Sequence, residues 1–161
     1  MQISTPKAQQ ENSKIDSSFH DAIERFLNYK QREYAVDRFK SRSSFRYQVP
    51  VRAGTVCIMI RAKPWLNEFA IHAHSEASVP IGQRGDFLEW FAETNSGFNP
   101  LRIDLIPQSG EVRCGYVLPL LEEVVKVTYL ETMEGNCIAL METLLPLLRD
   151  CPLTDHPHTG A

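Results

Sequence analysis

Residues Asp86 to Leu118 read DFLEWFAETNSG, then FNPLRIDLI, then PQSG, then EVRCGYVL. The first piece has the grammar of a helix. Asp86 and Glu89 have the spacing of a capping box, and Phe87, Leu88, Trp90 and Phe91 give a wide apolar face. Asn95-Ser96-Gly97 supplies residues that tolerate positive φ, which predicts the helix end there. Leu101, Ile103 and Leu105 then alternate with Arg102 and Asp104, the pattern of a half-buried strand. Pro107-Gln108-Ser109-Gly110 suits a tight turn closing on a left-handed glycine, and Val112 to Leu118 returns as the partner strand. A helix over an antiparallel hairpin predicts an α+β fold. The stretch holds no nucleotide-binding loop, no metal cage and no nucleophile–base pair, so it speaks to architecture rather than to chemistry.

Upstream, Phe19, Ile23, Phe26 and Leu27 recur at helical spacing, with Ser17 or Ser18 as the expected cap and an end near Lys30. The following QREYAVDRFKSR fits either an extension of that helix or a second short one. Phe45 to Arg52 alternates, and Pro50, lacking an amide proton, predicts an edge position for this strand. After the Ala53-Gly54 turn, Val56 to Arg61 is apolar on both faces, which predicts a strand covered on both sides or the central one of a sheet. Beyond the Pro64-Trp65-Leu66-Asn67 turn, Phe69, Ile71 and Ala73 line one face of a third strand and Glu68, Ala70, His72 and His74 the other. Downstream, Leu120 to Val127 is apolar without a decisive period. Thr128 and Glu131 read as another capping box. Leu130, Met133, Cys137, Leu140, Met141, Leu144 and Leu148 then mark the longest helix, with a kink or ragged last turn expected at Pro146. The expectation is a five-stranded antiparallel sheet with flanking helices, in the order α-β-β-β-α-β-β-α. Residues 1–16 are expected to form a disordered polar tail, 17–149 a single domain and 150–161 a flexible tail.

The chain has 161 residues, 43% of them hydrophobic and 23% charged, with a formal net charge of −3. That size suits one domain burying about 70% of its unfolded surface. The charge offers no electrostatic footprint for nucleic acid and no attraction to an anionic membrane. No apolar run is long enough to insert in a bilayer. The N-terminal MQISTPKAQQENSKID lacks the apolar core of a secretory signal. Cys57, Cys114, Cys137 and Cys151 form no Cys-x-x-Cys pair and read as free thiols, so a reducing cytoplasm is the expected compartment.

The run FLEWFAETNSGFNPLRIDLIPQSGEVRCGYVLPL, with a long final helix carrying Pro146, resembles the YbjN-like family and is similar to the type III secretion chaperone fold. The resemblance covers about residues 17–148. It departs in the N-terminal tail, the Pro64-Trp65 turn and the two strand histidines. It implies a non-enzymatic, dimeric, partner-holding role with no catalytic residues and no cofactor to carry over.

Among individual residues, His72-x-His74-x-Glu76 has the alternate spacing that points three metal-ligating side chains to one side of a strand. The competing reading is a solvated strand face. Trp90, Trp65 and Leu66 are the candidate partner-binding residues, because exposed tryptophan is enriched at interfaces. Glu122, Glu123, Glu131, Glu134 and Glu142 read as the solvated side of the last segment. Ser41, Ser43 and Ser44 lie in a basic turn with Arg38, Lys40, Arg42 and Arg46, without a nucleophile-elbow pattern. The resulting expectation is a cytoplasmic, homodimeric protein-binding module, a chaperone or regulator in character. The alternatives are a small metal-binding protein or enzyme using the His72 and His74 strand face, and a structural subunit of a larger complex.

Overall fold

The computed structural model describes residues 7–39, 42–97, 100–121 and 125–149, with the side chains of 7–17, 38, 39 and 42 set aside. The elements run α1 (Lys7–Tyr29), β1 (Tyr34–Phe39), β2 (Arg42–Val51), β3 (Gly54–Lys63), a 3-10 turn (Pro64–Leu66) and β4 (Glu68–Ser78). A second 3-10 turn (Ile81–Gln83) leads into α2 (Arg84–Asn95), followed by β5 (Arg102–Leu105), β6 (Glu111–Pro119) and α3 (Val127–Arg149). The strands form a six-stranded antiparallel sheet in the order β1-β2-β3-β4-β6-β5. The α+β architecture is therefore as expected, but the sheet has six strands rather than five and four of them precede α2.

The extra strand comes from the stretch that read as helix. Gln31 takes a left-handed conformation (φ 52°), and the Arg32 amide donates back to the Leu27 carbonyl at 2.9 Å, which closes α1. Tyr34 and Val36 then alternate toward the core while Ala35 and Asp37 face outward, and β1 zips onto β2 from Tyr34↔Tyr47 to Phe39↔Arg42. That pairing makes β2 an interior strand and corrects the edge position predicted from Pro50. Pro50 is nonetheless accommodated, because the β1 ladder stops at Tyr47 and its missing amide faces no strand on that side.

One face of the sheet is the core. Phe45, Tyr47, Val56, Ile58, Ile60, Phe69, Ile71, Val112 and Cys114 are buried there beneath α1 and α3. Phe19 of α1 meets Phe45 and Phe69 edge-on, with ring centroids 6.5 and 6.0 Å apart. Of the α3 stripe, Leu130, Met133, Cys137, Met141, Leu144 and Leu148 are buried as its period predicts, and Leu140 is half-buried. The other face carries Arg46, Met59, Arg61, His72, His74 and Arg113, and among the described residues no helix lies over it. No helix among the described residues is long and apolar enough to cross a membrane.

Several helix boundaries move. α1 begins at Lys7, so Ser17 and Ser18 lie inside it and residues 7–16 are helical rather than part of a disordered tail. KAQQENSK contains good helix formers, and propensity carries the helix past the apparent cap. Residues 1–6 and 150–161 lie outside the described chain. α2 begins at Arg84, two residues before the expected Asp86 cap, without a side-chain cap at Gln83. Asp86 instead sits in the first turn, where its charge suits the positive helix end. Likewise α3 begins at Val127, which places Thr128 inside it. Its last residue, Arg149, comes within one turn of Pro146.

The hairpin of β5 and β6 closes at Gly110 (φ 75°), in the left-handed conformation read from the sequence. Arg84, at the start of α2, holds this turn through the Pro107 carbonyl (2.6 Å) and the Val79 carbonyl (3.0 Å). α2 ends at Asn95 without a residue of positive φ; Ser96 stays helical. The Asn95 side chain does the terminal work. Its amide donates to the Ile103 carbonyl and its carbonyl accepts the Ile103 amide, both at 2.7 Å. A side-chain amide thus pairs with the outer strand β5 as a neighbouring backbone would. Asn95→Ala is expected to leave both Ile103 groups without these partners and to lower stability by about 1–3 kcal/mol, measurable as a fall in the urea midpoint.

Candidate functional site

The candidate partner-binding residues are presented at the surface. Trp90 on α2 is 38% exposed and packs against Phe87 and Phe91, with ring centroids 5.9 and 5.1 Å away. Phe91 anchors the trio in the core, and this holds the indole in place. Leu88 is also exposed, and Ile81, in the turn preceding α2, is 81% exposed. Residues 81–90 therefore display three large apolar side chains. Trp65 and Leu66 are exposed on the 3-10 turn between β3 and β4. The Leu120 amide donates to the Asn67 carbonyl at 3.0 Å, which brings the exposed Leu121 to the same end of the sheet as Leu66.

His72 and His74 do share the helix-free face of β4, but they do not converge on an ion. Their rings meet edge-on with centroids 6.0 Å apart. His74 Nδ1 is engaged by the Glu111 carboxylate, and Glu76 lies within the stretch between His74 and Ser78 where the β4–β6 register shifts. Among the described residues no three His, Cys, Asp or Glu side chains are grouped as a metal site.

The solvated-face reading of His72 is also corrected, since this residue is 4% exposed. Its neighbour across the ladder is Gly115, and the space above that glycine is filled by the imidazole. Burial, with Arg113, Arg61, His74 and Lys63 nearby, pushes the His72 pKa down to about 3. Between pH 6.5 and about 3 the unfolded chain protonates this histidine and the folded chain does not. Its contribution to stability is present above pH 6.5 and is lost as pH falls through that window, by up to about 1.4 kcal/mol per pH unit. NMR is expected to show the His72 ring not titrating between pH 8 and 5, and His72→Gln is expected to flatten the acid limb of the stability profile.

The structure assembles a nucleophile–base–acid line that sequence reading missed. Ser43 Oγ lies 3.2 Å from His20 Nδ1, His20 Nε2 lies 3.2 Å from Glu24 Oε1, and the Tyr34 hydroxyl donates to the same carboxylate at 3.4 Å. The i,i+4 spacing of His20 and Glu24 on α1 was visible in the chain, whereas Ser43 joins through the sheet. Geometry alone could support acyl transfer. However, Ser43 is 4% exposed and the imidazole lies against Phe45 at 4.9 Å, so a substrate carbonyl does not reach the hydroxyl. The relay is a structural tie between α1, β1 and β2.

Glu134 is a second correction. It is 2% exposed and so does not belong to the solvated acidic side. It accepts from the Tyr47 hydroxyl (3.0 Å) and Arg32 Nη2 (3.5 Å) and lies 3.7 Å from Lys30 Nζ. Burial and the Glu134 charge push the Tyr47 hydroxyl well above the usual tyrosine range. Position 134 falls four residues after Leu130 and three before Cys137, inside the apolar stripe, and this spacing could have revealed it. Glu131 is half-buried and pairs with Lys30 at 3.5 Å, Glu142 is exposed, and Glu122 and Glu123 lie outside the described residues.

Of the basic turn, Arg46 pairs with Asp37 at 3.0 Å on the surface, while Lys40 and Ser41 lie outside the described residues. Cys114 and Cys137 are buried free thiols; Cys114 Sγ donates to the Cys137 carbonyl at 3.3 Å. Burial pushes Cys137 up to about 12 and Cys114 well above the thiol range, which keeps both protonated and unreactive. Cys57 is half-buried, and Cys151 lies outside the described residues. A groove of about 550 Å³ opens beside the start of β1, lined by Arg32, Tyr34, Arg46, Gln48 and Cys57.

No protein-family model matches this chain, and comparison with curated proteins returns no significant relative.

Proposed function

We propose that this protein is a non-enzymatic polypeptide-binding module, chaperone- or regulator-like, that works in the cytoplasm as a homodimer. The observation that carries this reading is the apolar display on residues 81–90. Ile81, Leu88 and Trp90 face solvent while Phe91 roots the helix in the core. A part-exposed tryptophan packed on Phe87 and Phe91 has the composition of an interface hot spot. Trp65, Leu66 and Leu121 add a second exposed apolar area at the end of the sheet. The resemblance of residues 17–148 to YbjN-like proteins and secretion chaperones agrees with this reading. Ser43, the one nucleophile set in line with a histidine and a carboxylate, is buried, and this supports binding over catalysis.

The test is comparative capture from the source cells, using the wild-type chain and a Leu88→Ser/Trp90→Ala variant whose far-UV circular dichroism matches wild type. The reading expects at least one polypeptide held stoichiometrically by the wild type and lost by the variant. Identical retention by both proteins would remove α2 as the binding surface.

A further inference from the structure

The two edges of the sheet are not equivalent. β5 has four residues, α2 packs against it, and the Asn95 side chain closes both backbone groups of Ile103. β1 is longer, spanning Tyr34–Phe39, and among the described residues its backbone pairs with β2 alone. It carries no proline and no bulge, and its register with β2 is regular along its whole length. Long regular edges of this kind template further strand pairing unless they are covered. On the core face of β1, Tyr34 and Val36 are only half-buried although both pack against the core.

From this asymmetry we infer that β1 pairs antiparallel with β1 of a second copy of this chain, with Val36 opposite Val36 on the two-fold axis. The inference deepens the homodimer reading above and rests on it. In an isologous antiparallel pair, opposed residues share a face, so the permitted registers step by two residues. Two such registers keep five opposed residues within Tyr34–Phe39. One centres on Asp37 and sets Asp37 against Asp37, a like-charge pair that is unfavourable. The other centres on Val36 and sets Tyr34 against Arg38 and Ala35 against Asp37, with no like charges opposed. This register also brings the half-buried Tyr34 and Val36 of each copy over the core edge of the other, joining two sheets of six strands into one.

The register makes Ala35 the point of test. Ala35 is exposed on the helix-free face, opposite Arg46 within its own sheet and Asp37 in the partner copy. Ala35→Glu gains a favourable neighbour in its own chain and places like charges across the interface twice. The dimer dissociation constant, by sedimentation equilibrium, is expected to rise about two- to thirty-fold. Ala35→Lys places opposite charges there and is expected to lower it by a similar factor. Val36→Cys should form an intermolecular disulfide that wild type, with its native cysteines, does not. A wild-type chain that stays monomeric up to millimolar concentration overturns this inference, and leaves the binding of a foreign polypeptide to be judged by the capture experiment. A dimer whose affinity Ala35→Glu and Ala35→Lys shift in the same direction, or not at all, overturns the β1 register.

Discussion

Gly115→Ala is expected to lower stability by about 3 kcal/mol or more. Gly115 sits mid-strand on β6, between His72 of β4 and Arg102 of β5. A Cβ there would collide with the Ile71 carbonyl and come within 2.8 Å of His72 Cα and Cδ2. The imidazole could turn aside, but the backbone of β4 could not without breaking the ladder. Combining Gly115→Ala with His72→Ala should therefore restore little. The contrast is Gly135→Ala on the exposed side of α3, where nothing lies within 4 Å of the new methyl. That change should stabilise by about 0.5–1 kcal/mol through helix propensity. Urea denaturation of the three variants checks the set. A loss below about 1 kcal/mol for Gly115→Ala would mean that β4 and β6 are not packed as described.

Glu134→Ala is expected to cost about 2–4 kcal/mol, because it strips a buried carboxylate from several donors at once. The Tyr47 hydroxyl loses its acceptor inside the core, and Arg32 and Lys30 lose an anion while three-quarters of each side chain is covered. The hub also ties α3 to β2 and to the loop that leads from α1 into β1. Its loss should therefore loosen the start of β1 as well as the core. Tyr47→Phe removes one hydrogen bond and leaves the ion pairs, so it should cost about 1 kcal/mol. The order of the two variants separates a charge hub from a single hydrogen bond, and thermal or urea unfolding reads it directly. Equal costs for the two would show that Arg32 and Lys30 draw no stability from the carboxylate.

Local chemistry was legible where the determinants lie close together in the chain. The Pro107–Gly110 turn, the alternation of Ile103 and Leu105 and the α3 stripe are all short-range patterns, and each stands in the structure as read. β1 was not legible, because six residues containing Tyr34 and Val36 fit a helix turn as well as a strand until β2 supplies a partner. The caps misled for a related reason: Ser17, Asp86 and Thr128 have cap chemistry, but neighbouring residues extend each helix beyond them. The buried polar groups required tertiary register. His72 is covered because Gly115 lies across from it, and Ser43 meets His20 because β2 passes beneath α1. The polar side chains expected on solvated faces therefore divide. Glu142 is exposed, whereas Glu134 and His72 are enclosed by elements distant in the chain.

The account turns on a sheet closed at one margin by Asn95 and open at the other along β1. Concentration-dependent amide hydrogen exchange across Tyr34–Phe39 tests this most directly. The outward-turned amides of β1 should exchange fast in dilute protein and become protected as the concentration rises, while the Ile103 amide is protected throughout. Fast exchange of the β1 amides at every concentration would contradict the account, as would protection of those amides already complete in the monomer.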